Sequence, residues 1–227
     1  MKKAAITTLS IIILLGTSIG GARYVAAATP TPSASNPAIH ARSTQEINTA
    51  FNSPASNLRL QMNNLMHEHA AVGAVTLTAL YEGANTTGLM QQMTTNGNQI
   101  ASYVQQAYGM DAHNTFVTLW TQHMQEYQNY TVARKNNDTA KMNSAKQHLQ
   151  MIAVKIGNLF GAGQSTTAND VSSAMTDHID GTLAIVDAVA KGNTTQTALL
   201  TGNGYNQAGT LADVMTRAML LHNPNAF

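Results

Sequence analysis

The chain has no cysteine among its 227 residues. Without thiols it forms no disulfide and offers no thiolate, so a metal site here would use histidine, methionine or oxygen donors. Charged residues make up only 10% of the chain, and the net charge is +1. The 12 Lys and Arg are scattered and form no basic stripe, so we expect no nucleic-acid partner.

Proline is absent between residues 57 and 223, where Ala, Leu, Met and Gln are common. Both features favour helix, and apolar residues recur at helical spacing through this region. We therefore predict an all-α domain over residues 57–227. It comprises three tandem helical hairpins, six helices in an antiparallel bundle, with hairpin bounds of about 57–109, 110–163 and 164–222.

Three histidines, His69, His123 and His178, recur at intervals of 54 and 55 residues. Each precedes a predicted helix stop by 14 positions, and these stops are Gly83, Asn137 and Gly192. Apolar residues also recur before each histidine, and three of them occupy equivalent positions: Met66, Trp120 and Met175. This repeat predicts that the three histidines and these apolar residues are buried on inward helix faces.

The N-terminus has the features of a secretory signal. Lys2 and Lys3 precede an apolar run over residues 4–19, and residues 26–28 offer an Ala-x-Ala cleavage site. We predict a signal peptide over residues 1–28 and a secreted or extracytoplasmic protein. An uncleaved N-terminal membrane anchor is the alternative, and only this segment would contact a membrane.

The next segment, residues 29–56, is rich in Pro, Ser, Thr and Ala. This composition buries little apolar surface, so we predict a disordered linker. A short helix over residues 43–51 is the exception we consider, because Ile47 and Phe51 lie four residues apart.

The best-known helical catalytic motifs are absent. His67, Glu68 and His69 do not make a zinc-protease motif, because Ala71 stands where the second histidine is required. The same alanine excludes a Glu-x-x-His pair of the di-iron kind. We therefore expect a protein that is not an enzyme.

Methionine and histidine at helical spacing suggest a metal site instead. Met62, Met66 and His69 fall at i, i+4 and i+7, and the same spacing recurs in Met215, Met219 and His222. Thioether and imidazole ligands without thiolate suit copper. His123 and His178 would join the first site if the three hairpins face a common axis. A haem or another small apolar ligand held between helices is a further possibility.

The alternative interpretation is structural. Each histidine would donate a hydrogen bond across to a neighbouring helix, for example to Asn96 or Gln207, since buried polar groups normally find partners. The domain would then be a scaffold that binds a cell-surface or protein partner.

The helix openings resemble those of a family of small secreted or surface bacterial helical-hairpin proteins. Their helices begin with a repeated Leu-Arg-x-Leu-(Trp/Met)-x-(Glu/Asp)-His motif, and their second helices carry a central Asn. The matching residues here are Leu58, Arg59, Leu60, Leu65, Glu68, His69 and Asn96, followed by Leu119, Trp120, Gln122 and His123. The resemblance spans about residues 57–221 and implies a helical fold and an extracytoplasmic location.

Overall fold

A computed structural model describes residues 43–227, and this region is all α-helical with no strand. Its helices are α1 (Thr44–Phe51), α2 (Pro54–Glu82), α3 (Thr87–Tyr108), α4 (Met110–Lys135), α5 (Thr139–Gly161), α6 (Ser165–Ala190) and α7 (Thr194–His222). The predicted signal peptide and the first half of the predicted linker, residues 29–42, lie outside the described residues. The prediction of an all-α bundle is confirmed.

The first long helix begins before the predicted domain boundary at residue 57. α2 starts at Pro54, where Ser53 caps it and proline occupies the first turn. The described half of the predicted linker is helical. α1 coincides with the short helix considered over residues 43–51, and Ser43 and Glu46 form the capping box that starts it. α1 buries no residue, so it adds little to the core.

The predicted helix stops coincide with left-handed backbone. Gly83, Asn137 and Gly192 have φ angles of 86°, 54° and 65°. Glycine and asparagine tolerate this conformation better than other residues, which is why they end helices. α7 runs unbroken through Gly202 and Gly204.

The six long helices form a closed ring in which each contacts its neighbours in the chain and α7 contacts α2. In addition, the three histidine-bearing helices α2, α4 and α6 contact one another. The predicted burial of Met66, Trp120 and Met175 is confirmed. None of the helices between residues 43 and 227 has an apolar stretch long enough to cross a bilayer.

Candidate metal site

The three repeated histidines meet at the centre of the bundle. His69 comes from α2, His123 from α4 and His178 from α6, and their exposed fractions are 3%, 0% and 3%. The ring centroids lie 5.7 Å apart for His69–His123, 5.7 Å for His69–His178 and 6.1 Å for His123–His178. One nitrogen from each ring lies within 4.8 Å of the other two. We refer to these residues as the histidine triad.

The triad has buried nitrogen atoms without hydrogen-bond partners among residues 43–227. They are Nδ1 of His69 and both ring nitrogens of His123 and His178. Two adjoining groups, Trp120 Nε1 and Tyr127 Oη, are buried and unpartnered in the same way. Buried polar groups in native proteins are nearly always bonded, so such a concentration needs a cause.

Within residues 43–227, no hydrogen bond links the histidine triad to Asn96 or to Gln207. Asn96 donates from Nδ2 to the Leu65 carbonyl at 2.9 Å and to Glu68 Oε2 at 3.2 Å, not to a histidine. Gln207 Oε1 is itself buried without a partner. The expectation that Asn96 or Gln207 bonds the histidines is wrong, because Glu68 presents its carboxylate to α3 instead.

All three imidazoles are held neutral. Burial lowers the pKa of His69 well below its usual range, and the neighbouring His178 lowers it further. Burial, followed by His69 and His178, likewise lowers the pKa of His123, against a weaker opposing effect of the Trp120 carbonyl, which lies near the ring but outside hydrogen-bond geometry. Burial lowers the pKa of His178 to about 4. Neutral imidazole is the form that ligates a metal.

Aromatic side chains surround the triad. The Trp120 ring lies 4.6 Å from His69 and 5.1 Å from His123, centroid to centroid. Tyr127 meets His123 edge-on at 4.6 Å, and burial raises the pKa of its phenol well above the usual range. Gly97 makes room for the indole, because a Cβ at this position would overlap the Trp120 ring. These contacts restrict the rotation of the imidazoles.

A cavity of about 30 Å³ adjoins the triad. Its lining includes His69, His178, Tyr127 and Thr182. This volume exceeds the ~10–15 Å³ that one water needs, so the cavity suits an ion or a water and is far too small for a haem.

The triad geometry is close to that of a three-histidine metal site. Metal–nitrogen bonds of ~2.0–2.1 Å put ligand nitrogens about 3.3–3.6 Å apart, so the nitrogens must approach one another by at most about 1.5 Å. The cavity adjoins His69 and His178, so these two rings have space to move toward His123, which Trp120 and Tyr127 hold in place. The group contains three histidines and no carboxylate, so its donors carry no negative charge.

The remaining predicted ligands are distributed differently. Met62 and Met66 are fully buried in the core on the helix that carries His69. Met215 and Met219 are also buried, but His222 is exposed and stacks on Tyr108 at 4.4 Å. His222 therefore does not join a buried cluster with these methionines, although its sequence spacing matches that of His69.

Sequence reasoning missed three functional neighbours. Trp120 was predicted to be buried, but neither Trp120 nor Tyr127 was predicted to contact a ligand site. No role was predicted for Met124. The four-residue spacing from His123 to Tyr127 was the available signal, since residues i and i+4 share a helix face.

No family model, curated protein or solved structure matches the chain. A functional assignment therefore depends on the site's own geometry.

Proposed function

We propose that this protein is an extracytoplasmic binding protein for a soft metal ion, copper(I), and not an enzyme. Its site is the histidine triad, formed by three tandem hairpins of one duplicated unit that face a common axis. The observation that carries the proposal is the meeting of three neutral imidazoles in the core with unpartnered nitrogens.

Energetics favour a ligand over a purely structural role. Each buried group left without a hydrogen bond costs ~1–3 kcal/mol, so the five ring nitrogens together cost about 5–15 kcal/mol. That is as large as the whole stability of a typical domain, ~5–15 kcal/mol. A neutral ring presents one lone pair, so a bound ion relieves one nitrogen of each histidine, or about 3–9 kcal/mol of this cost.

The charge of the site favours a monovalent ion. Burying an uncompensated charge in an apolar interior is expensive, and the cost rises with the square of the charge. The triad offers three neutral donors and no carboxylate. A copper(I) ion leaves a site of charge +1, whereas zinc(II) or copper(II) leaves +2 unless an anion enters with it. Imidazole is also an accepted copper ligand.

The proposed location depends on the signal-like N-terminus. Export would place the site where thiol ligands are scarce and copper is handled by histidine and methionine. Mass spectrometry of protein from its native host should find a chain that begins near Thr29. Full-length chain in the membrane fraction would favour the anchored alternative.

The test is a titration of residues 43–227 with copper(I), zinc(II) and copper(II) under anaerobic conditions. Trp120 is the only tryptophan, and its ring contacts the triad, so its fluorescence reports on the site. We expect saturable quenching by copper(I) that His69→Leu, His123→Leu and His178→Leu each abolish. His148→Leu is the matched control, because His148 is half exposed and pairs with Glu126.

His222→Ala separates the two sites that the sequence suggested. We expect it to bind copper(I) like the wild type, because His222 lies outside the triad. Absence of copper(I) binding by the wild type would instead favour the scaffold function, with a protein or cell-surface partner.

A further inference from the structure

Three methionines connect the triad with the protein surface. A groove of about 170 Å³ lies between α3 and α4, with Met90, Met93 and Met124 in its wall. The same three methionines line the cavity that adjoins His69 and His178. The groove and the cavity share four lining residues, these three methionines and Gln128, so most of the wall between them is thioether side chains.

The burial of these methionines is graded. Met93 is 1% exposed, whereas Met90 and Met124 are half-buried. The Met93 methyl group lies against Gly73, at 3.5 Å from where a Cβ on that residue would stand. Gly73 lies four residues after His69 on α2, so Met93 reaches the turn of α2 next to the triad.

The outer part of the groove is polar, whereas the inner part is mostly apolar, with Gln128 as its polar member. Thr94, Asn98, Thr121 and Gln125 are exposed residues in its lining. A hydrated cation that enters the groove can first replace its waters with the oxygens of these side chains. It can then bind thioether sulfur in the wall and finally imidazole nitrogen in the triad. Thioethers favour soft ions such as copper(I) and bind hard ions weakly. They are also flexible and uncharged, so they can move aside without leaving a charge buried.

We infer that Met90, Met93 and Met124 form an access route that carries copper(I) from the groove between α3 and α4 to the histidine triad. This inference rests on the proposed copper(I) site. It assigns the three methionines a kinetic role: they speed binding and release while the histidines set the affinity. The ion crosses a wall that is closed to larger ligands.

The test is stopped-flow mixing of residues 43–227 with copper(I) in acetonitrile-containing buffer, followed by Trp120 fluorescence. The variant carries Met90→Leu, Met93→Leu and Met124→Leu, because leucine matches methionine in volume but lacks the sulfur. We expect association and dissociation rates both to fall at least tenfold, with the equilibrium affinity changed less than threefold. Met151→Leu is the control, since Met151 is exposed on α5.

The outcomes separate this inference from the proposed function. No copper(I) binding by the wild type would end both. Normal binding with unchanged rates in the triple variant would overturn the route alone. A loss of affinity with unchanged association would also overturn it, by making the methionines ligands. If circular dichroism shows that the triple variant is unfolded, Met124→Leu alone gives the decision, and unchanged rates there would overturn the route.

Discussion

Replacing His123 with leucine should stabilise the protein in the absence of metal. His123 is fully buried, and both of its ring nitrogens lack partners in the described region. Removing two unsatisfied groups gains ~2–6 kcal/mol. Losing the ring contacts with Trp120 and Tyr127 costs ~1–3 kcal/mol, at ~0.5–1.5 kcal/mol per aromatic pair. The net change in the free energy of unfolding therefore lies between about −1 and +5 kcal/mol, and we expect an increase of about 2 kcal/mol.

The assay is urea unfolding of metal-free protein at pH 8, where histidine is neutral in the unfolded chain as well. Protonation then contributes nothing to the comparison. The control, His148→Leu, should change the free energy of unfolding by less than ~0.5 kcal/mol, because its ring lies on the surface. A decrease of more than ~1 kcal/mol in the free energy of unfolding of His123→Leu would contradict this prediction. It would mean that the His123 nitrogens make stabilising hydrogen bonds.

Three further predictions concern stability. The free energy of unfolding should be highest above pH 6.5 and fall as the pH drops toward 4. Burial lowers the pKa of His178 to about 4, so in this range protons bind the unfolded chain more tightly than the folded one. This group alone contributes about 3 kcal/mol, measurable by urea unfolding across that range, and a flat profile would contradict its burial. Trp120→Ala should cost ~3–5 kcal/mol by the same assay, and a loss below ~1 kcal/mol would show that the ring is not packed as described. Gly97→Ala should lower the melting temperature, because its Cβ would overlap the Trp120 ring. Gly202→Ala should raise the melting temperature, because its Cβ would meet open space and alanine favours helix. The opposite order would contradict the described contact between Gly97 and Trp120.

The sequence predicted the helical core well because helical periodicity is a local property. The residues predicted to face inward are all buried: Met66, Trp120 and Met175, together with His69, His123 and His178. The shared register of the three histidines also indicated a common centre, since equivalent positions of a repeat face equivalent directions.

Partners across helices were harder to predict. Asn96 was a candidate partner for a histidine, but it bonds the Leu65 carbonyl and the Glu68 carboxylate. Successive side chains on a helix point about 100° apart. Deciding whether Asn96 meets Glu68 or His69 therefore requires the interhelical angle. A sequence pattern does not contain that angle.

The two Met-x-x-x-Met-x-x-His patterns differ in burial because one lies in mid-helix and the other at the end of a helix. The Met62, Met66 and His69 spacing lies in mid-helix, where all three residues are buried. The same spacing in Met215, Met219 and His222 runs to the last residue of α7, where the histidine reaches solvent and Tyr108. The route through Met90 and Met124 depends on how α3 and α4 pack, so it was visible only in three dimensions.

The most direct test of the central claim is the stoichiometry and affinity of copper(I) binding, measured by competition with a chromophoric copper(I) chelator. We expect one tightly bound copper(I) per chain in the wild type and none in His123→Leu, a variant that should be folded and, without metal, more stable than the wild type. Equal copper(I) binding by the two proteins, or binding by neither, would contradict it.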